Sequence, residues 1–116
     1  MLRGYARRVA GFFEEVDLWL TPTLAQVTPK IGEMVGTESE PLAGAERSSQ
    51  WVAFPNNVAN ITGQPAMAMP LHWTADGLPM GVHFLGRYGD EATLFRLAAQ
   101  LEQACPWVDR RPPVAA

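Results

Sequence analysis

Apolar positions recur every three or four residues in three stretches of the chain and run together or alternate in three others. Leu2, Tyr5, Val9, Phe12, Phe13 and Val16 share one helical stripe with charges between them, which predicts a helix over residues 2–16. Arginines stand at its start and glutamates at its end, the reverse of what the helix dipole favours. No capping residue precedes it, which fits a helix whose true beginning lies upstream but leaves Glu14 and Glu15 unexplained. Asp17 to Thr21 reads as a short buried strand stopped by Pro22.

From Thr23 to about Gln50 no period is sustained, and Pro29, Gly32, Gly36, Pro41 and Gly44 punctuate the stretch. A loop this long inside a compact domain is expected to be functional, mobile or packed on something absent, and the last is favoured here. Trp51, Phe54, Val58 and Ile61 then predict a short helix around Pro55 that stops at Gly63. Residues 66–71 and 81–86 are apolar on both faces, as strands in the middle of a covered sheet are. Asp76-Gly77 between them is a turn pair, so the two form an antiparallel hairpin. The last helix has Asp90 as its N-cap and a stripe of Leu94, Leu97, Ala98 and Leu101, and Pro106 stops it. A loose tail is expected from Asp109 to Ala116.

The layout is α/β: three strands that need cover on two faces, with three helices to supply it. That supply is short, so the chain reads as part of a larger sheet or as a module completed by a partner. Its 116 residues make one domain of modest size. With 47% hydrophobic and only 18% charged residues the chain is globular, and the low charge hints that other protein covers some of its surface. Nine basic against twelve acidic residues give −3, which argues against nucleic acid as a partner; Arg3, Arg7, Arg8, Arg110 and Arg111 have no stacking platform beside them. One cysteine excludes a disulfide framework, and no apolar run is long enough to span a bilayer. Without a recognisable leader the expectation is a cytoplasmic protein with no membrane partner.

Several pieces in order carry a resemblance. They are Asn60-Ile61-Thr62-Gly63-Gln64-Pro65-Ala66, then Met69-Pro70, then Gly77-Leu78-Pro79-Met80-Gly81 through Gly86, then Asp90-Glu91-Ala92. Upstream, the run from Asp17 to Thr23 ends in Thr-Pro-Thr. No single piece is specific, but the ordered set resembles the closing segment of the amidase-signature family and covers most of the chain. The resemblance implies a mixed β-sheet flanked by helices, here incomplete. It also implies hydrolysis of a linear or cyclic amide by a serine activated through a second serine and a lysine, with no cofactor. In that family these groups lie in a glycine- and serine-rich stretch well before the segment seen here. The A-type subunit of a glutamine-dependent tRNA amidotransferase shares the closing pattern and stays open as an alternative.

The chain has one lysine, Lys30, and three serines, Ser39, Ser48 and Ser49, none in a glycine-rich turn. They read as a solvated lysine and as turn or cap residues, so no catalytic residue is assigned and the chain alone is expected to be inactive. His72, His83 and Cys105 do not supply a zinc site, so no metal is assigned. His83 reads as a packed structural histidine, Cys105 as a small buried residue and Met67 and Met69 as core. By resemblance, the helix before the Pro-Ala strand borders the acyl pocket, which makes Phe54 and Asn57 candidates to line a substrate site in a complete enzyme. Asn60 is expected to satisfy backbone groups at that helix's end. The partners this implies are the missing N-terminal half of the fold or, if the segment stands free, a second copy in a homodimer joined through sheet edges.

Overall fold

The computed structural model describes residues 2–52 and 54–111, with the side chains of residues 2 and 54–56 left aside. Its elements run α1 (Leu2–Phe12), β1 (Leu18–Pro22), α2 (Ala43–Ser49), α3 (Phe54–Thr62), β2 (Ala66–Trp73), β3 (Pro79–Gly86) and α4 (Glu91–Ala104). The strands form one antiparallel sheet in the order β1-β3-β2, so the last strand in sequence is central.

Of the three strands, β3 alone has a neighbour on each side. Its alternate residues go to opposite cores. Leu85, at 0% exposure, joins Val9, Phe13 and Val58 beneath α1 and α3, with Trp19 of β1 against them. Phe84 joins Met69 and Leu94 on the other face, where Met67, Leu97, Leu101 and Trp107 pack. Met67 and Met69 are thus core. Each fully buried apolar side chain here contributes roughly 1.5–3 kcal/mol.

The hairpin between β2 and β3 closes as its turn pair predicts. Gly77 sits at φ +80°, Gly77 N–H donates to the Thr74 carbonyl, and Thr74 Oγ1 accepts from Leu78 N–H at 3.0 Å. The register runs Met69↔Val82 and then His72↔Met80, so β2 holds one extra residue between those pairs. Pro70, which has no N–H to give the ladder, falls in this bulge.

Three expectations need correcting. The first helix ends at Phe12 rather than Val16; Phe13, Glu14 and Glu15 follow in a turn closed by bonds three residues back. Glu14 and Glu15 therefore lie outside the helix and exposed, which removes most of the unfavourable dipole arrangement. β1 includes Pro22, which an edge strand tolerates because the proline needs no donor on its outer side. The long stretch after it is not structureless: it contains α2, and an antiparallel bridge Leu24↔Val52 closes its base.

α4 matches its reading. The Asp90 carboxylate accepts from Thr93 N–H at 3.3 Å and from Thr93 Oγ1 at 2.7 Å. The Thr93 hydroxyl bond, chiefly, holds the Asp90 carboxyl below its ordinary pKa. Cys105 follows the helix but is exposed, not buried, because the stripe that faces the sheet ends with Leu101. Beyond it Arg110 lies over the Trp73 ring at 4.7 Å, and residues 112–116 fall outside the described ones.

Cover is incomplete, as the count of helices implied. Ala66 and Ala68 of β2 are exposed on the face that α1 and α3 shield elsewhere, and Leu20 of β1 is 61% exposed on the other.

Candidate functional site

The residues that resemblance singled out sit on α3, and the local sequence dictates how that helix is held. Val58 is fully buried against Phe13 and Leu85, so its stripe fixes the helix on the sheet. Asn57, about 100° around the helix from Val58, must then face outward, and it is exposed. Asn60 and Ile61 continue that outer face. Among the described residues the Asn57 amide engages no partner, and the Phe54 side chain lies outside them.

The C-terminal end of α3 is pinned by a short relay. Thr62 Oγ1 shares its single proton between the Val58 carbonyl at 2.7 Å and Gln64 Oε1 at 3.0 Å. Gln64 Nε2 donates onward to the Gly86 carbonyl at 3.1 Å, and Gly86 N–H donates to the Pro65 carbonyl. Gly63, at φ +74°, makes the left-handed exit. Thr62 Oγ1, on the Val58 carbonyl, and Gly63 N–H, on the Ala59 carbonyl, rather than Asn60, therefore satisfy the helix end. The Thr-Gly-Gln-Pro run that carries the resemblance locks α3 to the end of the central strand.

One link was not readable from sequence. Arg87 donates from Nε at 3.1 Å and Nη2 at 2.9 Å to the Phe13 carbonyl, and its guanidinium lies 3.8 Å from Asp17. A continuing helix would have used the Phe13 carbonyl itself; here an arginine far along the chain takes it. No local signal marks Arg87, since nothing in its neighbourhood says which carbonyl it will reach.

The serines are committed locally. Ser48 Oγ donates to the Ala45 carbonyl at 2.9 Å and Ser49 Oγ to the Glu46 carbonyl at 2.6 Å, both inside α2. Ser39 Oγ lies 3.1 Å from Thr37 Oγ1. Lys30 is exposed, and its backbone N–H, not its ammonium, is what Glu33 engages. Among the described residues no serine hydroxyl therefore meets a base. His83, 7% exposed, faces Thr21 Oγ1 across the strands at 3.4 Å, a structural pairing; burial lowers its pKa. No three metal-binding side chains converge among the described residues. An open, mainly apolar groove of about 330 Å³ lies between Pro65, Ala66 and Met67 on one side and Leu94 and Phe95 on the other.

The structure thus defines a partial α/β fold: a sheet with helices on both faces, bare at its margins. The sequence pattern of the family described as Amidase matches residues 1–95, and the chain belongs to that family. It is 44% identical over 106 residues to the putative amidase AmiC of Mycobacterium leprae, covering 91% of this chain and 22% of that protein. It is 41% identical over 117 residues to the 6-aminohexanoate-cyclic-dimer hydrolase of Paenarthrobacter ureafaciens, covering 96% of this chain and 24% of the relative. A solved structure of 6-aminohexanoate cyclic dimer hydrolase complexed with substrate superposes with a TM-score of 0.84 at 41% identity, over 97% of this chain and 24% of that one. The chain spans about a quarter of the length of the relatives it matches. No helix among the described residues is long and apolar enough to cross a membrane.

Proposed function

We propose that this chain is the C-terminal part of an amidase, a scaffold that borders the substrate through Phe54 and Asn57 while the nucleophile and its base come from sequence outside these 116 residues. The observation that carries this reading is the coverage: nearly the whole chain aligns, yet it accounts for less than a quarter of each relative. The local commitment of Ser48 and Ser49 supports it, since a hydroxyl that donates to its own helix instead of to a base does not attack a carbonyl at neutral pH. In the complete enzyme the reaction is attack by an activated serine on an amide carbonyl, with loss of the amine and hydrolysis of the acyl-enzyme. The substrate class is a small linear or cyclic amide, and the location is the cytoplasm. The tRNA amidotransferase subunit remains the alternative within the same chemistry.

The purified chain, assayed with a simple amide and with 6-aminohexanoate cyclic dimer, is expected to release no amine. Hydrolysis that disappears in a Ser48→Ala/Ser49→Ala variant would refute the assignment. In the enzyme that contains this segment, Asn57→Ala is expected to raise KM with little change in kcat; unchanged KM would remove Asn57 from the substrate wall.

A second reading is favoured by Leu20, which stands exposed on the outer strand β1. An open edge with apolar side chains pairs readily with another strand, so a free-standing segment would form a homodimer. Light scattering decides it: a monomer at high concentration leaves only the first reading.

A further inference from the structure

The stretch between β1 and α3 behaves differently from the rest of the chain. Every hydrogen bond that residues 24–52 make among the described residues has both ends inside that stretch. None of its side chains belongs to either hydrophobic core. The last tie to the sheet lies just outside it, where Thr23 N–H donates to the Gly81 carbonyl at 2.9 Å. At the neck, Leu24 bridges Val52, Ala25 N–H donates to the Trp51 carbonyl at 3.0 Å, and Trp51 Nε1 donates to the Val27 carbonyl at 2.6 Å.

Inside the neck the backbone folds back on itself. A Cβ on Gly44 would stand 2.5 Å from the Met34 carbonyl oxygen and 2.7 Å from Gly36 N, so the two segments touch only because Gly44 has no side chain. Arg47 Nη2 donates across the same contact to the Val35 carbonyl at 2.8 Å. Glycine here serves close packing rather than loop flexibility.

We propose that residues 24–52 form a self-closed arm that opens and recloses as one cooperative unit while the sheet stays folded, with the Trp51 indole as the latch at its neck. Contacts that are all internal break together, and a segment that contributes nothing to either core leaves those cores intact when it opens. The arm is therefore a separate unit of local stability in the same chain.

Native-state amide hydrogen exchange on the full chain tests this. Trp51→Phe keeps an aromatic side chain but removes the indole N–H and part of the ring; it is expected to speed exchange about tenfold, by a common factor, at Ala25, Val35 and Glu46. Phe84 and Leu85 in β3 should exchange as before. Gly44→Ala, which forces the arm's two segments apart from inside, should produce the same pattern. Acceleration confined to the neck would overturn cooperativity. Acceleration of β3, or loss of the fold in either variant, would overturn independence, and no change in either variant would dispose of the arm as a unit.

Discussion

Arg87 places two of its donors, at 3.1 and 2.9 Å, on one carbonyl oxygen, that of Phe13, 74 residues earlier in the chain. The bond closes α1 where the chain turns toward β1 and ties that turn to the residue just after the central strand. Arg87→Ala is expected to destabilise the chain by about 1–3 kcal/mol, because a carbonyl that has left its helix loses both partners. Asp17→Asn should matter far less, below about 0.5 kcal/mol, since its 3.8 Å pairing with Arg87 is between largely exposed groups. Urea unfolding of the two variants separates the backbone contact from the ion pair; equal losses would mean that the charge pair dominates.

Leu85 is the residue on which the α1 and α3 side of the sheet converges. Leu85→Ala should cost about 2–5 kcal/mol. Leu20→Ala, on the neighbouring edge strand but 61% exposed, should change stability by less than about 0.5 kcal/mol. The same chemical change at the two sites, followed by thermal unfolding, reports the packing directly. Similar shifts in Tm would contradict the assignment of β3 as the central, doubly packed strand.

Gly81 faces Thr23, which follows β1 and donates its N–H to the Gly81 carbonyl. An alanine Cβ there would lie 2.6 Å from Thr23 Oγ1 and 2.9 Å from Thr23 Cβ. Gly81→Ala should therefore cost about 1–3 kcal/mol by overpacking. Thr23→Ala, which removes the Oγ1 that would stand 2.6 Å from the new Cβ, is expected to recover part of that loss in the double variant. Strict additivity of the two changes would show that they do not meet.

Burial holds the pKa of His83 below its ordinary 6.5. The unfolded chain then binds more protons than the folded one between the lowered value and 6.5, so stability rises with pH across that window. The contribution is fully present above the unfolded value and is lost as pH falls below it. His83→Gln should flatten Tm between pH 7 and 5 relative to the unmodified chain. A variant whose Tm falls just as steeply would place the dependence elsewhere.

Asn57 should be a clean probe of the proposed substrate wall. It is exposed and makes no bond among the described residues, so Asn57→Ala should leave stability within about 0.5 kcal/mol. A rise in KM in a complete enzyme is then an effect at the site rather than on folding. A loss above about 1 kcal/mol in denaturant would show that Asn57 is structural instead.

What the sequence determined by itself was local. The Asp90 cap and the leucine stripe of α4, the Asp76-Gly77 turn and the apolar run of β3 each depend on residues a few positions apart, and each stands where the pattern put it. The ordered family motifs were also legible, because their turns and close approaches restrict which residues fit. The candidate site was legible only as a helix face: Val58 going in sends Asn57 out. Tertiary structure decided the rest. Phe13 ends α1 because its ring is drawn under the sheet and its carbonyl to Arg87; the period that ran on to Val16 is overruled by contacts far away in sequence. The β1-β3-β2 order, the bulge at Pro70 and the closed arm depend on which backbones approach across tens of residues. Periodicity says that a side must be buried; only the assembled chain says against what.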